Sequence, residues 1–265
     1  MAADFSVPCP MGAQPSRRTI MNKKILGAAL LSALSLGAQA QGWTGQGEFG
    51  LVLSNGNADN LTVNGKLDFK FEEDQWLYNV YGLALRAESD DLQTANRYEI
   101  GGKAGYKFSE RAYMFGSGRY ENDDFAPYEY QATVAVGFGY KAIDNDATQL
   151  SFEGGPGYRR YQPVDVFVAT PAPGQFVSVD SEGDFVGRGF MDFKHKLTDN
   201  TSLFDTLLIE GGQDNTFAQN DFGVQVAMSE KFAIKAGIQV RHNTDVIAPV
   251  KKTDTLTTVN LVYGF

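Results

Sequence analysis

The chain has 265 residues, 43% of them hydrophobic and 21% charged, with 29 Gly, 19 Phe, 12 Tyr, one Cys and two His. That balance excludes a disordered chain and a disulfide scaffold, and so little Cys and His excludes a zinc site of the usual kind. The 23 Lys plus Arg against 32 Asp plus Glu make the chain acidic, which argues against a nucleic-acid partner.

Residues 1–20 fit no targeting pattern and read as a mis-called upstream start, with Met21 the true one. Met21-Asn22-Lys23-Lys24 is a short basic segment, and Ile25 to Leu36 is a 12-residue apolar run, too short to span a bilayer as a helix. Gly37-Ala38-Gln39-Ala40 supplies the small residues of an A-x-A cleavage site. Residues 21–40 are therefore expected to be a secretory signal peptide. The exported chain, 41–265, would contain no Cys and would carry 19 basic against 31 acidic residues.

No run of about 20 apolar residues follows residue 40, so no transmembrane helix is expected. Period-two alternation recurs instead. From 61 to 72, Leu61, Val63, Gly65, Leu67, Phe69 and Phe71 share one face, opposite Thr62, Asn64, Lys66, Asp68, Lys70 and Glu72. Turn signals divide the chain into twelve strands, near 43–54, 60–72, 76–89, 96–108, 112–122, 128–142, 148–161, 183–197, 201–212, 217–228, 231–243 and 253–265. The ninth alternates poorly around Leu207-Leu208-Ile209, which predicts a bulge or a displaced boundary. Connections are alternately tight and long. The longest, Gln162–Glu182, is too apolar for a solvated loop; it either folds into a mouth or pairs as a hairpin.

Short turns on one side and longer loops on the other are the signature of an up-and-down transmembrane barrel with periplasmic termini and about 12 antiparallel strands. Aromatics collect near one end of the apolar face: Trp43, Phe69, Phe71, Tyr106, Phe108, Phe138, Tyr140, Phe152, Phe193, Phe232 and Tyr263. Tyr98, Tyr120, Tyr130 and Tyr158 mark the other end. Such sorting by height fits a membrane girdle rather than a sandwich core. Val259, Leu261, Tyr263 and Phe265 step outward to a C-terminal Phe, as in the assembly signal read by outer-membrane insertion machinery.

A barrel in lipid forces charge inward, since an Arg or Lys on the lipid face costs about 2–4 kcal/mol at mid-membrane. The expected lumen lining is Lys66, Asp68, Lys70, Arg86, Glu99, Lys103, Lys107, Arg119, Glu121, Glu153, Arg159, Arg188, Asp192, Lys194, Lys235 and Arg241, with Glu48 and Glu88 beside them. The inward glycines Gly101, Gly105, Gly137, Gly139, Gly155, Gly157 and Gly237 would leave room for water, a loop or solute. Twelve strands lie between a filled interior and an open pore. Two readings stay open: a narrow passive channel for small, anionic solutes, and a closed structural barrel. A third, weaker reading is a lipid-modifying barrel enzyme of the phospholipase or deacylase kind, with His242 beside Thr244 at the outer rim. Thr is a poor nucleophile there and no Asn partner is evident, so no enzymatic activity is expected.

Gly42-Trp43-Thr44-Gly45, Ser54-Asn55-Gly56-Asn57-Ala58, Gly154-Gly155-Pro156-Gly157-Tyr158-Arg159 and Val262-Tyr263-Gly264-Phe265 together resemble the salt-induced outer-membrane proteins that carry domain of unknown function 481. The resemblance runs over nearly all of 41–265 and departs from the family at Asn57-Ala58, where Thr often follows the Asn. It implies an outer-membrane barrel in a Gram-negative cell and expression linked to osmotic or acid stress, without an assigned activity. No cofactor is expected. The expected partners are outer-membrane lipids and lipopolysaccharide, the barrel assembly machinery during insertion, and small solutes.

Overall fold

The computed structural model describes residues 42–54, 60–90, 92–168, 175–246 and 251–265. The expected signal peptide, 21–40, and the segment 1–20 lie outside them. Twelve strands form one closed antiparallel barrel: β1 (Trp43–Ser54), β2 (Asn60–Glu73), β3 (Trp76–Ser89), β4 (Leu92–Lys107), β5 (Ala112–Asp123), β6 (Tyr128–Asp144), β7 (Thr148–Pro163), β10 (Glu182–Lys196), β11 (Thr201–Gly211), β12 (Thr216–Ala227), β13 (Phe232–Asn243) and β14 (Thr253–Gly264). Each strand pairs with its sequence neighbours, and β7 pairs directly with β10. The two remaining strands, β8 (Val166–Val168) and β9 (Gln175–Val177), form a separate hairpin in the long connection. That connection therefore pairs with itself, one of the two outcomes its apolar sequence allowed.

The strands match those read from alternation, except that β4 begins at Leu92 rather than near 96. The bulge expected in the ninth strand is absent. β11 pairs in unbroken register with both β10 and β12. Its alternation is blurred because Phe204 and Leu208 face the lumen while Asp205, on the outside, holds Asn220 Nδ2 at 2.6 Å. The register shifts lie instead between β3 and β4 at Ala87/Glu88, and in β6 against β7.

One end of the barrel carries the tight turns and both ends of the barrel sheet; the other carries the loops. At the β2–β3 turn, Asp74 adopts the left-handed conformation (φ 47°), which a short polar side chain tolerates. The outer face is apolar: Ile100, Val134, Val136, Phe138 and Val259 are all more than half exposed. Aromatic rings ring the turn end in a nearly continuous chain. Phe232 meets Tyr263 at 5.1 Å, Tyr263 meets Phe265 at 5.8 Å, and Phe265 meets Phe69 at 5.7 Å. Trp43–Phe71, Phe71–Tyr78, Trp76–Tyr78 and Trp76–Tyr106 continue it at 5.3–6.0 Å. Trp76 and Tyr78 were missing from the aromatics read off the sequence. At the loop end, Tyr120–Tyr130 (6.0 Å) and Tyr158–Phe185 (5.4 Å) form smaller pairs.

Closure depends on β1 meeting β14, and this seam is short. Gly45 and Phe265 exchange two backbone hydrogen bonds (2.8 and 2.9 Å). The ladder then runs from Gln46↔Gly264 to Gly50↔Asn260. Among the described residues it stops there, while β1 continues to pair with β2 as far as Ser54↔Asn60. A Cβ on Gly45 would fall within the Phe265 ring, so a side chain there requires that ring to move.

The tightest backbone approach is between β6 and β7, where a Cβ on Gly155 would overlap the Val136 carbonyl and one on Gly137 would overlap that of Gly154. Gly116 and Gly118 on β5 have open space instead. Gly155→Ala should therefore destabilise the folded barrel by about 1–3 kcal/mol, seen as a lower temperature of conversion from the compact to the unfolded electrophoretic form. Gly116→Ala should leave that temperature unchanged.

Candidate functional site

Inside the barrel the side chains sort into two tiers. In the loop-side half, charged groups from strands far apart meet in one layer. The Arg241 guanidinium on β13 donates to both Glu121 oxygens on β5 (2.6 and 2.7 Å) and to Asp123 Oδ2 (3.1 Å). By the strand order, β5 and β13 are six steps apart in either direction, so this pair crosses the full diameter. Arg119 on β5 reaches Glu210 on β11 at 2.6 Å, Glu121 at 3.3 Å and Glu99 at 4.0 Å. Arg97 on β4 donates to Gln239 on β13 at 2.6 Å.

Aromatic groups complete the layer. The Phe217 ring lies 5.0 Å from the Arg119 guanidinium and 5.1 Å from that of Arg241, a cation–π arrangement from which water is excluded. The Tyr128 hydroxyl donates to Glu121 at 2.9 Å, and Thr133 donates to Glu210 at 3.4 Å. Nearer the loops, Arg159 clasps Asp184 through two bonds (3.1 and 2.8 Å) and donates to the Asn215 carbonyl. Glu121 and Phe217 are 0% exposed, so the centre of the layer is out of contact with solvent. Charges held at such depth persist only when they are mutually paired.

Beneath the layer, a cavity of about 650 Å³ extends to the turn end. There Thr44, Lys70, Glu72, Lys141 and Lys194 edge it, with Lys70 and Glu72 exposed. Nine basic and seven acidic residues line it. Several are paired: Lys235 with Glu48 (2.9 Å), Arg188 with Glu153 (3.0 Å), Lys103 with Glu153, and Lys107 and Lys141 with Glu72 (3.2 and 3.0 Å). Lys66 makes no ion pair within 4.0 Å among the described residues; its ammonium stands 5.9 Å from the centre of the Tyr81 ring.

The residues read as lumen-lining thus divide between the tiers. Lys66, Asp68, Lys70, Lys103, Arg188, Asp192, Lys194 and Lys235 line the cavity; Glu99 and Arg119 form its ceiling. Glu121 and Arg241 are buried in the layer, and Arg159 just beyond it. Glu153 holds Lys103 and Arg188, and Lys107 sits at the mouth with Glu72. Arg86 is a correction. On β3 the odd residues Leu77, Asn79, Tyr81, Leu83 and Leu85 line the cavity, and Arg86 pairs in register with Val63, on the outer face. It forms an ion pair with Glu88 near the loop-side end, with over half its side chain exposed. The glycines are a second correction: Tyr81 covers Gly101, Leu77 covers Gly105, and Tyr113 covers Gly139, so neighbouring side chains occupy that space.

Glu210, Arg97 and Phe217 are essential to the layer and were missed. Glu210 lies in the strand whose alternation is blurred, and an inward Phe at a strand start looks like a rim aromatic. The two histidines are dispersed. His242 Nδ1 lies 2.8 Å from Thr253 Oγ1, while Thr244 bonds with Asn215 and Thr216 instead, so His242 and Thr244 do not form a pair. His195 Nδ1 lies 2.8 Å from Thr148 Oγ1. Among the described residues no cluster of His, Cys, Asp and Glu is arranged to hold a metal.

Truncating one member of the layer strands its partner's buried charge, a loss of about 3–5 kcal/mol. Arg241→Ala should therefore lower stability to urea by that order. Adding Glu121→Ala to it should recover part of the loss, measured as a double-mutant cycle on refolded protein.

The family model described as a protein of unknown function, DUF481, matches residues 47–265, and the chain belongs to that family. It is 23% identical over 217 residues to the uncharacterized protein YdiY of Escherichia coli (strain K12), covering 81% of this chain and 80% of that one. Among solved structures, the translocator domain of autotransporter NalP from Neisseria meningitidis aligns with a TM-score of 0.50 at 13% identity, over 91% of this chain and 95% of that one. An outer membrane channel of the COG4313 group from Pseudomonas putida F1 aligns with a TM-score of 0.46 at 10% identity, over 87% and 97%. The likeness to the translocator domain is one of fold.

Proposed function

We propose that this member of the DUF481 family is an outer-membrane barrel whose passage is shut at rest from the loop side and open from the turn side. In this reading the turns and both ends of the barrel sheet face the periplasm, and the loops face the exterior among lipopolysaccharide. The apolar outer face and the aromatic rings at its two ends support the membrane setting. The C-terminal run Val259, Leu261, Tyr263 and Phe265 serves as the address for the insertion machinery.

The observation that carries the closed state is the cavity that reaches the turn end and stops beneath the layer of Arg119, Glu121, Glu210, Phe217 and Arg241. A solute entering from the periplasm meets a basic-leaning vestibule, which favours small anions. It passes only if the ion pairs separate, and separation inside a low-dielectric lumen is costly. The protein is then a passage opened by an event that separates these pairs, rather than a standing pore. No catalytic arrangement is part of this reading.

Planar-bilayer recording tests it. Wild-type protein should insert with few or no conductance steps. The double variant Glu121→Ala with Arg241→Ala removes the bar across the diameter and should give steps whose reversal potential in a salt gradient favours anions. Wild-type steps equal to those of the variant would contradict closure at the layer. Silence from both, with the variant well folded, would leave a purely structural barrel.

A further inference from the structure

The apolar outer face is interrupted by one polar pair. On β11 the even residues from Ser202 to Glu210 line the lumen, which puts Asp205 on the outside. On β12 Gln219 and Asp221 line it, which puts Asn220 on the outside. Among the described residues Asp205 is the one charged side chain on that face more than three residues from the end of its strand; Arg86 and Arg160 lie closer to an end. Asn220 holds it: Nδ2 donates to Asp205 Oδ1 at 2.6 Å and to the Thr206 carbonyl at 3.0 Å. Both amide hydrogens are thereby used. Among the described residues no donor reaches Asp205 Oδ2 or Asn220 Oδ1. The pair therefore presents two acceptor oxygens and no free donor.

Asp205 stands four residues in from the turn end of β11, as Phe69 of the aromatic ring does on β2. That is the level at which headgroups meet hydrocarbon in a barrel of this kind. Its partners in register are Phe193 and Phe222, so neither neighbouring strand sets a cation beside it. His195, the next outward residue of β10 toward the turns, has its Nδ1 2.8 Å from Thr148 Oγ1. Toward the loops the surface becomes small residues around one ridge. Ile209, 40% exposed, pairs in register with Gly189 on one side and Ala218 on the other, and Gly189 pairs with Gly154 beyond. A Cβ on Gly189 would meet nothing within 4 Å, and one on Gly154 only the Arg188 carbonyl at 3.8 Å. Two shallow tracks therefore leave the polar pair and pass on either side of Ile209.

We propose that this patch binds a two-chain phospholipid of the turn-side leaflet with a primary-ammonium head. The ammonium donates to Asp205 Oδ2 and Asn220 Oδ1, and the acyl chains lie along the two tracks beside Ile209. Charge and hydrogen bonding select this occupant. A carboxylate attracts a cationic head and repels an anionic one. A quaternary head carries the charge but no N–H, so it leaves Asn220 Oδ1 without a donor. A second copy of the barrel set against the same patch would bring acceptors against acceptors. The site rests on the membrane reading above, but not on whether the ion-pair layer opens.

The test uses the full chain in phosphatidylcholine vesicles with a minor fraction of a phospholipid that carries a diazirine in its acyl chains and an ethanolamine, choline or glycerol head. After illumination, adducts are mapped by mass spectrometry. The site predicts that the ethanolamine lipid labels Ile209 and Ala218 several-fold more than the other two, while all three label Val136 and Val259 alike. Asp205→Asn, which keeps the side chain's size, should bring the ethanolamine lipid down to the choline level at 209 and 218. The double variant Asp205→Leu with Asn220→Leu, which leaves no unmet polar group on that face, should do the same. Excess free ethanolamine should not displace the lipid. Equal labelling by the three heads at 209 and 218, or a preference that survives both variants, would overturn the site and leave the membrane reading standing. Displacement by free ethanolamine would assign the patch to the amine alone, and a cross-linked dimer lost in Asp205→Asn would assign it to a second copy; either would overturn the lipid site. No adducts from any lipid at any outer position would overturn the membrane reading and the site with it.

Discussion

Everything in this molecule follows from one constraint: a sheet whose outside is oily and whose inside is ionic has to close on itself. A strand of alternating residues presents one face to each side, so a twelve-stranded sheet with lysines, arginines and carboxylates on one face cannot lie flat in any single solvent. Closure gives each face its own surroundings. It also concentrates the charges, which then find partners across the lumen rather than along the strands. The Arg241–Glu121 pair, between strands on opposite sides of the barrel, exists only because of closure, and it in turn braces the closed form.

The distribution of those partners creates the functional asymmetry. In the loop-side half the long side chains of Arg119, Arg241, Glu121 and Glu210 meet around Phe217. In the turn-side half shorter or less mutually directed groups, such as Asp68, Ser117, Thr206 and Asp192, leave a cavity. A densely packed half and a hollow half therefore arise from side-chain length and register.

The fold was legible in the sequence because its signal is repetitive. Period-two alternation, recurring turns and a terminal Tyr-x-Phe are local patterns, and each survives reading one residue at a time. The inward set was less legible. Arg86 was assigned inward because charge in a barrel strand is expected to avoid lipid, but it faces outward near the end of β3 with Glu88 beside it as counter-charge. The leucines of β3 broke the rule the other way, facing the lumen where apolar residues were expected to face out. The ion-pair layer was illegible for a deeper reason. Which arginine meets which carboxylate depends on strand tilt and on distances across the lumen, quantities no spacing encodes, so Glu210 and Phe217 gave no sign of their role.

The division of faces is open to direct measurement. Nitroxide labels attached at Val136→Cys on the outer face and at Ser117→Cys in the cavity, in vesicles, report their surroundings by relaxation with oxygen, which concentrates in lipid, and with a water-soluble nickel chelate. Strong oxygen and weak nickel relaxation at 136, with the reverse at 117, is the predicted result. Equal nickel access at both positions would mean that the apolar face meets water, and the barrel would not be a membrane protein.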